Sequence, residues 1–170
     1  MSKAFTREDD NAPELPSLPP LSSTLAPGAK NYITPVGAQK LRDELQRLVE
    51  IARPELAEAS DDPNAKRQLA RLDQRILQLE ESLQSAEIVP SPSGPADVVR
   101  FGATVTVRET DGTETSYRIV GVDEMDMDRN WVSWMSPIAK VLLNGKRGER
   151  IRFKFPSGET TLEIVDIRNE

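Results

Sequence analysis

The stretch LARLDQRILQLEESL, residues 69–83, decides the fold of the first half of the chain. Leu69, Leu72, Ile76, Leu79 and Leu83 recur at spacings of three, four, three and four, with Arg, Gln, Glu and Asp between them. That rhythm places the apolar side chains on one seam of a helix, the pattern of a coiled coil. A second seam lies upstream, where Leu41, Leu45, Leu48 and Ala52 follow at four, three and four. Its helix opens in ITPVGAQKLRDEL, with Thr34 suited to the N-cap and Pro35 to the first helical position. Pro54 disturbs the ladder locally, and Leu56 continues the seam slightly out of register before the helix ends near Ala59. Only SDDPN separates the two helices, so they are antiparallel neighbours in a helical hairpin. Arms of about 24 residues would reach roughly 35 Å. The narrow seam leaves much of the hairpin projecting into solvent.

The turn reads ASDDPNA, residues 59–65, and carries two adjacent carboxylates. Asp62-Pro63 is a favoured helix start, with Asp62 as N-cap. Asp61 is less constrained: it is either simply solvated or the one acidic group open to a cation or a basic partner. Adjacent side chains splay apart, so both would hold one ion only through a particular turn geometry.

Composition narrows the chemistry. The 170 residues include neither Cys nor His, which removes thiol catalysis, disulfides, imidazole acid–base chemistry and zinc sites. A metal would be a hard cation on carboxylates, Mg2+ first. The net charge of −6 argues against a protein whose main task is gripping phosphates. No apolar run is long enough to span a membrane and no signal peptide is visible, so a cytoplasmic protein is expected.

Residues 1–30 carry Pro at 13, 16, 19, 20 and 27 with no apolar period, the pattern of a disordered tail. The hairpin then occupies 31–88, a Pro-rich linker 89–97 and a strand-rich unit 98–170. VVRFGATVTVRET and TSYRIVGV form a hairpin about Asp111-Gly112, and NWVSWM is a third strand. SPIAKVLLNG is one short helix, capped by Ser136, opened by Pro137 and stopped at Gly145. ERIRFKF and TTLEIVDI close the unit as another hairpin about Pro156-Ser157-Gly158. The fold class is α+β, with mostly antiparallel strands and one helix packed on them.

Other groups stand out by type. Asp123, Glu124, Asp126 and Asp128 alternate with Met125 and Met127, either as an exposed loop or as a contact surface for a basic partner. Arg150, Arg152 and Lys154 share one face of a strand, and Lys146 and Arg147 lie beside it; a solvated sheet face is favoured over RNA contact. Trp131 and Trp134, three apart in one strand, point to opposite faces, so one is core and the other a possible anchor.

The chain resembles the bacterial Gre transcript-cleavage factors, the GreB type especially. NYITPVGAQKLRDEL is similar to the family's helix-one opening, VRFGATVTV with YRIVGVDE to the start of its C-terminal domain, and SPIAKVLLNGKRGERI to its S-P-x-A-x-x-L-L helix and glycine turn. The resemblance implies an FKBP-like C-terminal domain docked at the rim of the RNA polymerase secondary channel. It implies a coiled coil inside that channel, near the RNA 3′ end. Acidic tip residues would share an Mg2+ with the polymerase, so the factor is not an enzyme by itself. On these terms Asp61 and Asp62 are the tip and metal candidates, and Asp123, Glu124, Ser136, Pro137 and Ile138 the polymerase-binding candidates. A monomer is expected, with no tightly bound cofactor.

The hairpin departs from the family pattern. Family cleavage factors carry an Asp, a Glu after two intervening residues, then Asn and an aromatic at the tip. The turn here has neither Glu nor aromatic. The arms are short by about thirteen residues, near one heptad each, which keeps the seam. That withdraws the tip by about 10 Å. A carboxylate must come within about 2.1 Å of Mg2+ to ligate it. Such shortened arms are similar to those of Rnk-type polymerase regulators. The expectation is a secondary-channel-binding elongation regulator with weak or no cleavage stimulation; the alternative is an active cleavage factor presenting Asp61 and Asp62.

Overall fold

A computed structural model describes residue 25 and residues 28–59 and 61–169. The reading of residues 1–30 as a disordered tail falls almost wholly outside the described residues.

The helical region begins at a short strand, β1 (Asn31–Ile33), followed by α1 (Pro35–Arg47). Thr34 caps α1: its hydroxyl accepts from the Gly37 amide at 3.0 Å, and Pro35 stands in the first turn, where its missing N–H costs nothing. The chain continues through one π-helical segment, Leu48–Ala52, into α2 (Arg53–Glu58). Pro54 explains the segment. A proline inside a helix lacks the N–H and crowds the carbonyl four residues back, and here the turn widens until the Arg53 amide reaches Leu48. One wide turn rotates the seam, leaving Val49 and Ile51 exposed.

After the turn, α3 (Pro63–Ser85) runs back. Leu41 and Leu79 meet in a small core with Ile33 and Ala38, while Leu45, Leu48, Leu83 and Ala86 pack on its rim. Nearer the turn, Leu69, Leu72 and Ile76 are half-buried. Two ion pairs tie the segments. The Arg75 guanidinium donates to both oxygens of Glu44 at 2.9 and 3.0 Å, and Arg53 Nε donates to Asp73 at 2.7 Å. Such partly exposed pairs each contribute up to about 1 kcal/mol.

At the base, β2 (Ala86–Ile88) pairs in parallel with β1, and the Asn31 amide donates to the Ser82 carbonyl and the Ser85 hydroxyl at 3.2 and 3.1 Å. Neither strand is foreseen in the sequence reading. Three-residue strands have too little period to announce themselves, and their pairing follows from the helices that bring them together.

The rest of the chain forms one curled five-stranded sheet in the order β5-β4-β3-β7-β6, so the protein is mixed α+β. The strands are β3 (Ala103–Arg108), β4 (Glu114–Val120), β5 (Trp131–Ser133), β6 (Arg150–Phe155) and β7 (Gly158–Asn169). Ala103, Val105 and Val107 alternate inward on β3, as period two demands. They meet Ile119, Leu162, Ile164 and Ile167, and α4 (Pro137–Leu142) closes the core with Ala139 and Leu142. The β3–β4 turn has Gly112 at φ 89°, a left-handed conformation that favours glycine.

The structure differs from the sequence reading at β5. The strand pairs in parallel with β4 and ends at Ser133, so Trp134 lies beyond it. The two-face parity therefore does not apply to Trp131 and Trp134. The helix α4 also ends at Leu142 rather than Gly145, with Asn144 at φ 67° making the stop.

Candidate functional site

The turn between α2 and α3 is built by Asp62. Its side chain accepts from the Asn64 amide at 3.0 Å, and Pro63 follows as the first helical residue. One oxygen of Asp62 is thus committed to starting α3, while Asp61 and Asp62 are both exposed. Among the described residues no three or more Asp, Glu, His or Cys side chains are grouped to hold a metal ion. Two carboxylates, one of them engaged in a cap, leave most of a hard cation's six or so oxygen ligands to come from elsewhere. The 23 residues of α3 separate this turn from the base by roughly 35 Å.

At the start of α4 the three candidate docking residues do different things. Ser136 accepts from the Ala139 amide at 3.3 Å and caps the helix. Ile138 packs on the sheet core, and Pro137 is exposed. Capping and outward presentation coexist here, because Ser136 does the capping while the first helical residue, Pro137, is exposed.

The acidic run divides in two. Glu124 turns inward and accepts from the backbone amides of Thr34 and Gly121, both at 2.9 Å, and from the Thr34 hydroxyl. Its carboxylate therefore fastens the start of α1 to the sheet region. Gly37 permits this approach, since a Cβ there would run into the Glu124 carboxylate. Asp126 accepts from the Asp128 and Arg129 amides at 3.1 and 3.2 Å and pairs with the Arg129 guanidinium at 3.4 Å. Asp123 and Asp128 face solvent, and so do Met125 and Met127, the latter 81% exposed. Only this outer half of the run is open to a basic partner.

The basic strand is partly engaged as well. Arg150 pairs with Glu163 at 3.4 Å and Arg147 with Asp166 at 3.1 Å, while Arg152 and Lys154 are exposed.

A feature absent from the sequence reading lies where α1 meets the sheet. A cleft of about 200 Å³ opens there, walled by Lys40, Arg118, Glu124, Asp126, Arg129 and Trp131. Lys40, Arg118 and Arg129 stand over the Trp131 ring at 5.1, 4.8 and 5.4 Å from its centre. Trp134 instead packs on the sheet core and against Tyr32, ring centres 4.9 Å apart. The cations come from α1, β4 and the loop before β5, and no local sequence signal joins them.

Three comparisons bear on this arrangement. The family model described as transcription elongation factor, GreA/GreB, C-terminal, matches residues 94–169. The chain is 38% identical over 152 residues to transcription elongation factor GreB of Neisseria meningitidis serogroup B, covering 81% of this chain and 93% of that protein. It is 37% identical over 157 residues to transcription elongation factor GreA of Halorhodospira halophila, covering 84% of this chain and 99% of that protein. Among solved structures, GreA factor homolog 1 of Thermus thermophilus is 28% identical over 82% of this chain and 99% of its own, with a TM-score of 0.39.

Proposed function

Because the chain belongs to the GreA/GreB family of transcription elongation factors, we propose that it acts on RNA polymerase through the secondary channel, as an elongation regulator with weak or no stimulation of transcript cleavage. In this reading residues 31–88 are the family's helical hairpin and enter the channel. Residues 98–170 are its FKBP-like domain and dock at the rim, with 89–97 as the linker. The outer acidic residue Asp123 and the α4 start at Ser136, Pro137 and Ile138 contribute to docking. Glu124 supports that surface from behind by holding Thr34. The polymerase keeps the chemistry, and the protein acts in the cytoplasm as a single copy.

The observation that carries the reading is the state of the tip. Asp62 gives Oδ1 to the α3 cap, so Asp61 is the one exposed carboxylate with both oxygens clear of the helix start, where a shared Mg2+ would need more. The arms, shorter than the family's by about one heptad each, hold that carboxylate about 10 Å short. A carboxylate ligates Mg2+ only at about 2.1 Å, so such a deficit argues against a shared metal site.

The test uses halted, backtracked elongation complexes with Mg2+ and the full chain, following the RNA 3′ end. Little shortening is expected, together with competition against a cleavage-active relative for the same polymerase. Rapid shortening that vanishes in Asp61→Ala/Asp62→Ala would instead establish the active cleavage factor.

A further inference from the structure

We propose that the cleft between α1 and β5 is a binding site for a small diphosphate-bearing anion, held by Lys40, Arg118 and Arg129 around Trp131. The first ground is charge. In a chain of net charge −6, three cations converge on one indole. With the longest ring distance at 5.4 Å, no two of the three charges are farther apart than about 11 Å, comparable with the screening length of about 8 Å in physiological salt. Their mutual repulsion is therefore only partly screened, and an oxyanion among them relieves it.

The second ground is how the nearby carboxylates are employed. Glu124 has its oxygens on the Thr34 and Gly121 amides and the Thr34 hydroxyl, and Asp126 serves the Asp128 and Arg129 amides and the Arg129 guanidinium. Neither is within ion-pair distance of Lys40 among the described residues. The lining keeps one positive charge in excess. Flat guanidinium groups donate in pairs to phosphate oxygens, and an ammonium adds a point charge, which together suit a phosphate-bearing anion.

The third ground is size. Sites for drug-sized ligands run from about 300 Å³ upward. The cleft of about 200 Å³ admits a diphosphate but not a whole nucleotide, so any further part of the ligand would lie outside over exposed Met125. The bland account is that the cations only glue α1 to the sheet through cation–π contacts. That account predicts no saturable ligand.

Pyrophosphate is titrated into the full chain at constant ionic strength, by calorimetry and by the NMR shift of the Trp131 indole N–H. Saturable binding in the sub-millimolar range is expected, with both readouts giving one affinity. Lys40→Ala and Arg129→Ala should each weaken it about tenfold, while Arg152→Ala on β6 leaves it unchanged. Thermal midpoints of the variants show that they remain folded. A nucleoside diphosphate serves as second probe: equal affinity means that the phosphates alone are read, and tighter binding adds a contact outside the cleft. Absence of saturation at millimolar pyrophosphate overturns the proposal, and so does an unchanged affinity in Lys40→Ala or an equal loss in Arg152→Ala. None of these readouts involves the polymerase, so the elongation reading stands or falls separately.

Discussion

Asp62 and Asp61 are neighbours with different work, and substitution should separate them. Asp62→Ala removes the acceptor for the Asn64 amide and should cost about 1 kcal/mol, read as a lower thermal midpoint, whereas Asp62→Asn keeps the cap. Asp61→Ala should leave the midpoint unchanged. Glu124 offers a sharper case. Glu124→Ala strips the Thr34 and Gly121 amides of their acceptor, and each donor left unsatisfied in a half-buried setting costs about 1–3 kcal/mol. A loss no larger than that of Asp123→Ala would show that the carboxylate does not fasten α1 to the sheet. The β3–β4 turn supplies a pH test. The Thr113 amide, donating to Asp111 at 2.8 Å, holds the Asp111 carboxyl below its ordinary range. A depressed carboxyl stabilises the fold above the unfolded value and loses that contribution as pH falls through the folded one. An NMR titration should therefore find Asp111 titrating below pH 3.8, and Thr113→Pro, which removes the amide, should bring it back. At this scale the sequence is readable when the partner is near. The Asp62 cap spans two residues and follows from Asp-Pro alone, while the Glu124–Thr34 contact spans 90 and left no local trace.

The helical seam was legible from Leu69 to Leu83 because packing needs a fixed spacing, and the structure shows how little of it is dry. Leu79 is 2% exposed, yet its neighbour Leu77 is 54% exposed. Leu79→Ala should cost 2–5 kcal/mol through lost burial and a cavity, about the scale of such core truncations. Leu77→Ala should stay within about 0.5 kcal/mol, so comparable losses in urea denaturation would refute the assigned face. Alternation on β3 was equally plain, since one face is core. Elements without a period were not. The parallel β1–β2 pair, the early end of β5 and the π-helical turn before Pro54 depend on what other segments present. The Pro54 disturbance itself was foreseeable, because the ring's clash is local. Its outcome as a single wide turn was one of several ways to relieve that clash. The Trp131 cleft lay beyond reach for the same reason as Glu124: Lys40 and Arg129 are distant in sequence and meet only in the folded chain.

At the scale of the whole molecule, reach and tip chemistry can be tested apart. A heptad adds about 10 Å to a helix and closes two turns, so inserting seven residues into each arm returns every seam residue to its face. The insertions belong between Pro54 and the turn in α2, and opposite them in α3 before Leu69, where the core at Leu41 and Leu79 and the Glu124 fastening are untouched. If distance alone restrains cleavage, the lengthened chain should shorten backtracked RNA with the natural turn still at its tip. The geometry argues that it will not. Asp62 will still be capping α3, because the cap is set by Asp62-Pro63-Asn64 and travels with the turn. The tip will then stand at the right depth with one carboxylate wholly unengaged by a helix start. Adding a second, as Ala59→Glu on the lengthened arms, supplies an oxygen donor that no helix start claims. On the proposed reading, the lengthened chain is expected to leave backtracked RNA intact, the Ala59→Glu chain at natural length to leave it intact too, and only the combination to shorten it. Cleavage by the lengthened chain alone would show that depth was the sole restraint and that Asp61, with the polymerase's own ligands, suffices.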